Sequence, residues 1–160
     1  RGEGHFAALL ERRGDGTCEV EAVQPAEKLP VPICEFLEKN HVKLPNGFAV
    51  SFGDTWFWAP PELPALKGLH VLRAGLELGE MRKGRFVPAH ALALWLQTFP
   101  QALDLALGSH ELAAYLRGET LPTDLTGWTL VRVGQCSLGW AYGAGGVLKN
   151  HYPKGLRKNF

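Results

Sequence analysis

Between Phe48 and Val87 the chain has no room for a long element, because glycine or proline interrupts its apolar and aromatic runs every few residues. Phe48-Ala-Val-Ser-Phe52 and Thr55-Trp-Phe-Trp58 flank Gly53-Asp54, which predicts two strands joined by a tight turn and ended by Pro60 and Pro61. Leu69-His-Val-Leu72, Leu76-Glu-Leu-Gly79 and Arg85-Phe-Val87 predict three more strands, the first two set around Gly75. Strands this short and this closely spaced point to a small barrel or a strongly bent sheet.

Helices punctuate the strands. Pro30-Val31-Pro32 leads into Ile33, Phe36, Leu37 and Asn40, an amphipathic spacing behind an N-terminal proline, and Leu44-Pro45-Asn46-Gly47 breaks the chain after it. Pro88-Ala89-His90 opens Ala91 to Leu96, where the alanine and leucine content favours a second helix. Ser109 to Gly118 predicts a third: Ser109 caps it, Glu111 suits the first turn, Leu112 and Leu116 share a face, and Gly118 stands just past Arg117. Leu103 to Leu107, Trp128 to Val133, Cys136 to Tyr142 and Val147-Leu148 read as strands, the last two separated by Gly143 to Gly146. At the N-terminus, Phe6 to Leu10 reads as a strand and residues 14–31 as a turn and linker. The fold class is therefore α+β.

Composition excludes some classes. With 46% hydrophobic and 21% charged residues in 160, the chain buries a real core as one compact domain or two small ones. No apolar run reaches the roughly 18 residues of a membrane span, and no signal-peptide pattern opens the chain. Cys18, Cys34 and Cys136 are odd in number and far apart, which argues for a reducing, cytoplasmic setting rather than a disulfide framework. A chain that starts at Arg1 and has Met81 as its one methionine is expected to be a piece of a longer protein.

No convincing active site emerges. The three cysteines read as inert, and His5, His41, His70, His90, His110 and His151 form no pair at zinc-ligand or helical spacing, so no metal site is expected. The glycines between Gly139 and Gly146 miss both the G-x-G-x-x-G spacing and a G-K-[ST] ending, so a hairpin turn fits better than a phosphate loop.

Binding is better signalled. The last twelve residues hold Lys149, Lys154, Arg157 and Lys158 and no carboxylate, a charge of +4; with a chain total of +1, the preceding 148 residues balance at −3. Such asymmetry suggests an anionic partner met at one place. A second basic cluster, Arg82, Lys83 and Arg85, falls at an expected turn. Cations for phosphates beside aromatic faces for splayed bases are what single-stranded RNA requires. Trp140, Tyr142 and Tyr152 supply aromatics, with a core position the competing reading for Trp140, and Asn150 and His151 add hydrogen-bonding groups. The rival view is a solvated tail or a segment folded back on the barrel.

Three blocks give the chain a family likeness: Arg1-Gly-Glu-Gly-His-Phe-Ala-Ala-Leu-Leu; Gly75-Leu-Glu-Leu-Gly79 through Lys83-Gly-Arg-Phe-Val-Pro-Ala-His-Ala-Leu-Ala93; and Tyr115-Leu-Arg-Gly-Glu-Thr-Leu with Leu138-Gly-Trp140 and Leu148-Lys-Asn-His-Tyr-Pro-Lys-Gly-Leu-Arg157. They resemble the C-terminal region of the RsmF (YebU)-type branch of the Sun/NSUN family, bacterial RNA (cytosine-5) methyltransferases of small-subunit ribosomal RNA. The resemblance implies a closing strand of the methyltransferase domain (1–13), a linker (14–31), a first C-terminal α+β domain (32–98) and a PUA-like RNA-binding barrel (99–160). It implies S-adenosylmethionine and a cysteine nucleophile for the parent enzyme, but no catalytic, cofactor or metal site in this fragment. Thr17-Cys18 matches a family motif in letters only, because the family's nucleophile precedes the Gly-Glu-Gly segment and Cys18 follows it. The implied partners are small-subunit ribosomal RNA or a 30S-type particle and the protein's own catalytic domain, met by a monomer. The expected RNA contacts are Lys149, Asn150, His151, Tyr152, Lys154 and Arg157, with Arg82, Lys83 and Arg85 as a second patch. The alternative is a structural brace or protein-interaction module without RNA contact.

Overall fold

The computed structural model of the chain describes residue 24 and residues 26–158. The strand expected at Phe6 to Leu10, Cys18 and most of the linker expected over 14–31 lie outside the described residues.

Helix α1 (Val31–Lys39) starts on Pro30 as expected and buries Ile33 and Leu37, one turn apart. The Asn40 side-chain amide donates to the Phe36 carbonyl at 2.7 Å and closes its end. Strands β1 (Phe48–Phe52), β2 (Thr55–Ala59), β3 (Leu76–Arg82) and β4 (Arg85–Pro88) form an antiparallel meander in that order. The β2–β3 register slips beside Gly79, leaving Leu78 as the extra residue. Gly79 has φ +152°, and a Cβ there would run into the Val87 carbonyl oxygen, so the close β3–β4 approach requires glycine.

One expected strand does not form. Leu69 to Leu72 is irregular, with Leu69 and Leu72 exposed. Both neighbours of β2 are taken by β1 and β3, and Glu27 bridges to Ala49 of β1. The segment instead places Val71, with Leu63 and Leu66, against a small core of Val50, Phe57, Ala59 and Ala74.

Helix α2 (His90–Trp95) leads into the second half, where β5 (Ala102–Asp104), helix α3 (His110–Arg117), β6 (Leu121–Pro122), β7 (Gly127–Val133), β8 (Cys136–Ala144) and β9 (Val147–Asn150) follow. These strands make a five-stranded sheet in the order β5-β7-β8-β9-β6, antiparallel except for β5 with β7. The strand expected over Leu103 to Leu107 is shorter, because the Ser109 N–H bonds back to the Ala106 carbonyl and turns the chain into α3. Strand β6, not foreseen, pairs its two residues with β9. Helix α3 has the expected caps: Ser109 Oγ accepts from the Leu112 N–H at 3.1 Å, and Gly118 adopts φ +87°.

Alternation along the second sheet gives it two buried faces. Val131, Ala141 and Leu148 meet α3 through Leu112, Ala114 and Tyr115. Leu130 and Trp140 face the other way, into a core shared with Phe99 and with Ile33, Leu37, Leu78, Phe86 and Leu92 of the first half. Trp140 is 1% exposed and packs edge-to-face on Phe99 at 4.9 Å and on Phe36 at 6.0 Å. Its indole N–H donates to the Ala89 carbonyl at 2.8 Å, and its own carbonyl accepts from the Tyr115 hydroxyl and the His151 N–H. Burial raises the pKa of Tyr115, with the neighbouring Tyr152 adding to the shift, so this hydroxyl keeps its proton and remains a donor. Ser137 Oγ adds a bond to the Leu96 carbonyl at 2.7 Å. The two halves are thus joined by one apolar core and by hydrogen bonds around α2.

Candidate nucleic-acid interface

Cross-strand register builds the site. Trp128 of β7 stands opposite Tyr142 of β8, and Tyr142 opposite Lys149 of β9, so the three form one row on one face of the sheet. His151 follows Lys149 on the same parity, and its ring packs edge-to-face on Trp128 with centroids 4.6 Å apart. Tyr142 lies 5.2 Å from Trp128 and is 38% exposed. Across from this row, the β3–β4 hairpin turns tightly on Lys83 and Gly84, both at positive φ. An open groove of about 970 Å³ runs between them, walled by Phe36 and Lys39 of α1, Arg85 of the hairpin, and Trp128, Tyr142, Lys149 and His151. The expected hairpin turn between Gly143 and Gly146 is present, as Gly145-Gly146 between β8 and β9.

Arg85 and Lys149, one cation from each expected basic patch, therefore line one groove. His151 reports it: partial burial lowers its pKa, and the nearby Arg82 and Lys149 cations lower it further. At pH 7 His151 is a neutral ring rather than a cation. Arg82 is paired with Glu80 at 2.6 Å, whereas Lys83, Arg85 and Lys149 are exposed without an ion pair among the described residues.

Three residues grouped with them have other tasks. Asn150 has the parity of Leu148 and points to the α3 side: its amide N–H groups bond the Tyr115 and Glu119 carbonyls at 2.8 and 3.0 Å, and its Oδ1 accepts from the Tyr152 N–H at 2.8 Å. Tyr152 packs into the α3 core, 5.4 Å from Tyr115 and 5.7 Å from His90. Arg157 donates to the Tyr152 carbonyl and lies against Gly118, where its cation complements the C-terminal end of α3. These three side chains do not line the groove and brace the α3 side of the sheet instead, Asn150 by strand alternation and Arg157 at the α3 cap. Lys154 is exposed in the 3₁₀ turn Lys154–Leu156, outside the groove.

Trp128, which the sequence reading placed only within a strand, is the central aromatic of the site. Trp140 takes its core position. Cys34 is half-buried beside the Leu29 carbonyl and Cys136 is exposed at the start of β8.

Two family models match the chain. Residues 35–96 match the model described as RsmF rRNA methyltransferase first C-terminal domain, and residues 102–158 match that of the methyltransferase RsmF PUA domain.

Proposed function

The chain belongs to the RsmF rRNA methyltransferase family as its C-terminal region, and from that premise we propose that it docks single-stranded ribosomal RNA in the groove between its two domains. The observation that carries this is the row Trp128–Tyr142–Lys149 facing Arg85, with His151 closing one end. Bases stack on exposed aromatic faces, while Lys149, Arg85, Lys83 and the Glu80-tethered Arg82 neutralise phosphates. Lys154 extends the basic surface beyond the groove. The RNA is held so that a catalytic domain, using S-adenosylmethionine, can take a cytidine out of its stack. Small-subunit ribosomal RNA is the substrate class within this proposal.

Salt dependence tests the reading. With about four phosphates neutralised, log K against log salt for a single-stranded RNA should fall with a slope near −3, moving to about −1.4 in the Arg85→Ala/Lys149→Ala double variant. A flat salt dependence would refute RNA docking here. Asn150→Ala separates scaffold from contact. It removes three internal hydrogen bonds and is expected to lower unfolding free energy by about 2 kcal/mol in denaturant titration. RNA affinity under folding conditions should stay within about twofold, since the lost groups face α3.

A further inference from the structure

Resting on that RNA reading, we infer that Gln101 is a specificity-determining residue, and that the groove takes an unpaired base carrying an exocyclic amine in preference to uracil. Gln101 lines the groove beside Trp128 and Tyr142. Its side-chain nitrogen is held from the sheet side, 3.0 Å from the Thr126 carbonyl oxygen, 3.1 Å from the Trp128 carbonyl oxygen and 2.7 Å from Thr129 Oγ1. Thr129 is itself fully buried, so the anchor is rigid. Chemistry fixes the orientation of this amide: turned over, its oxygen would face two carbonyl oxygens, neither of which can donate. The main chain holds Gln101 as well, because its carbonyl accepts from the Leu130 N–H at 3.0 Å.

Its Oε1 receives no hydrogen bond from the described residues and is not a buried orphan. It is a preset acceptor open to solvent in an aromatic, cation-rimmed groove. Lys39, Arg85 and Lys149 line that groove against the single carboxylate of Glu35, which suits a polyanionic strand. A base stacked on the Trp128–Tyr142 row presents its edge to this acceptor. Adenine, cytosine and guanine can offer an amine hydrogen. Uracil offers only an N–H flanked by two carbonyl oxygens, which an acceptor oxygen repels.

The test uses the full 160-residue chain with a fluorescent ten-nucleotide oligoadenylate and the same strand with every 6-amino group replaced by hydrogen. Both strands keep a purine face for stacking and the same phosphates. Wild type should bind the oligoadenylate about fivefold more tightly, the worth of one ordinary hydrogen bond. Gln101→Met, checked for an unchanged circular dichroism spectrum, should bring the two strands within about twofold. Equal, salt-dependent binding of both strands by wild type would overturn the role of Gln101 and leave RNA docking standing. Binding of neither strand would overturn both. Equal wild-type binding overturns the proposal even where the variant folds poorly.

Discussion

Trp140→Ala should lower the free energy of unfolding by about 3–5 kcal/mol, the largest loss for any single substitution considered in this protein. The side chain is 1% exposed and contacts Phe36, Phe99 and Trp128, so its removal leaves a cavity that rigid neighbours cannot collapse into. The loss also removes the indole N–H bond to the Ala89 carbonyl, which keeps only the Ala93 N–H as donor. Because Trp140 belongs to the second sheet while Ile33, Leu78, Phe86 and Leu92 belong to the first half, wild type should melt in one transition. In the variant the midpoint should fall by roughly 10 °C for a chain of this size. Differential scanning calorimetry checks both points: two separate wild-type transitions, or a shift of a degree or two, would show that the domains do not depend on this contact.

The second large effect belongs to the stacking surface. Replacing Trp128 and Tyr142 together by alanine should weaken single-stranded RNA binding about 100-fold, since each base–aromatic stack is worth about 1–3 kcal/mol. The salt slope should barely change, because no cation is removed. Tyr142→Ala alone is the milder control: its ring is partly exposed and contacts Trp128, whereas Trp128 also packs on Trp140 at 6.2 Å. Fluorescence anisotropy at two salt concentrations separates the stacking term from the charge term. An affinity loss below about threefold in the double variant would mean that RNA, if it binds, does so through phosphates alone.

Much of the architecture was legible because local rules and tertiary packing agree. The proline start of α1, the Ser109 and Gly118 caps of α3 and the Gly53-Asp54 hairpin each follow from one or two residues acting locally. Leu69 to Leu72 misled because a short apolar run is not enough for a strand: Val71 packs on the small core of Val50, Phe57, Ala59 and Ala74 while Leu69 and Leu72 stay exposed. The site was half legible. Its charges were, as clusters; their division was not. Lys149 to Tyr152 reads as one contiguous motif, yet a strand sends neighbours to opposite sides, so Lys149 and His151 reach the groove while Asn150 braces α3. Trp128 was hidden by a subtler cause. Counting back from the Gly134-Gln135 turn sets Trp128 opposite Ala141, but the β7–β8 register shifts between Val131 and Arg132. That single bulge moves Trp128 opposite Tyr142 and creates the aromatic row.

The Gly145-Gly146 turn between β8 and β9 consequently acts as the reading frame of this surface. Two residues at positive φ set Ala144 against Val147, and every later position of β9 inherits its side of the sheet from that choice. Adding one residue while the turn keeps its two-residue form would slip β9 by one position against β8 and exchange the two messages. Leu148 and Asn150 would be written on the outside, and Lys149 and His151 would be driven into the α3 core. An insertion of two would preserve the text. The length of a glycine turn thus governs which letters of this strand face a ligand, and it does so without a single side chain of its own.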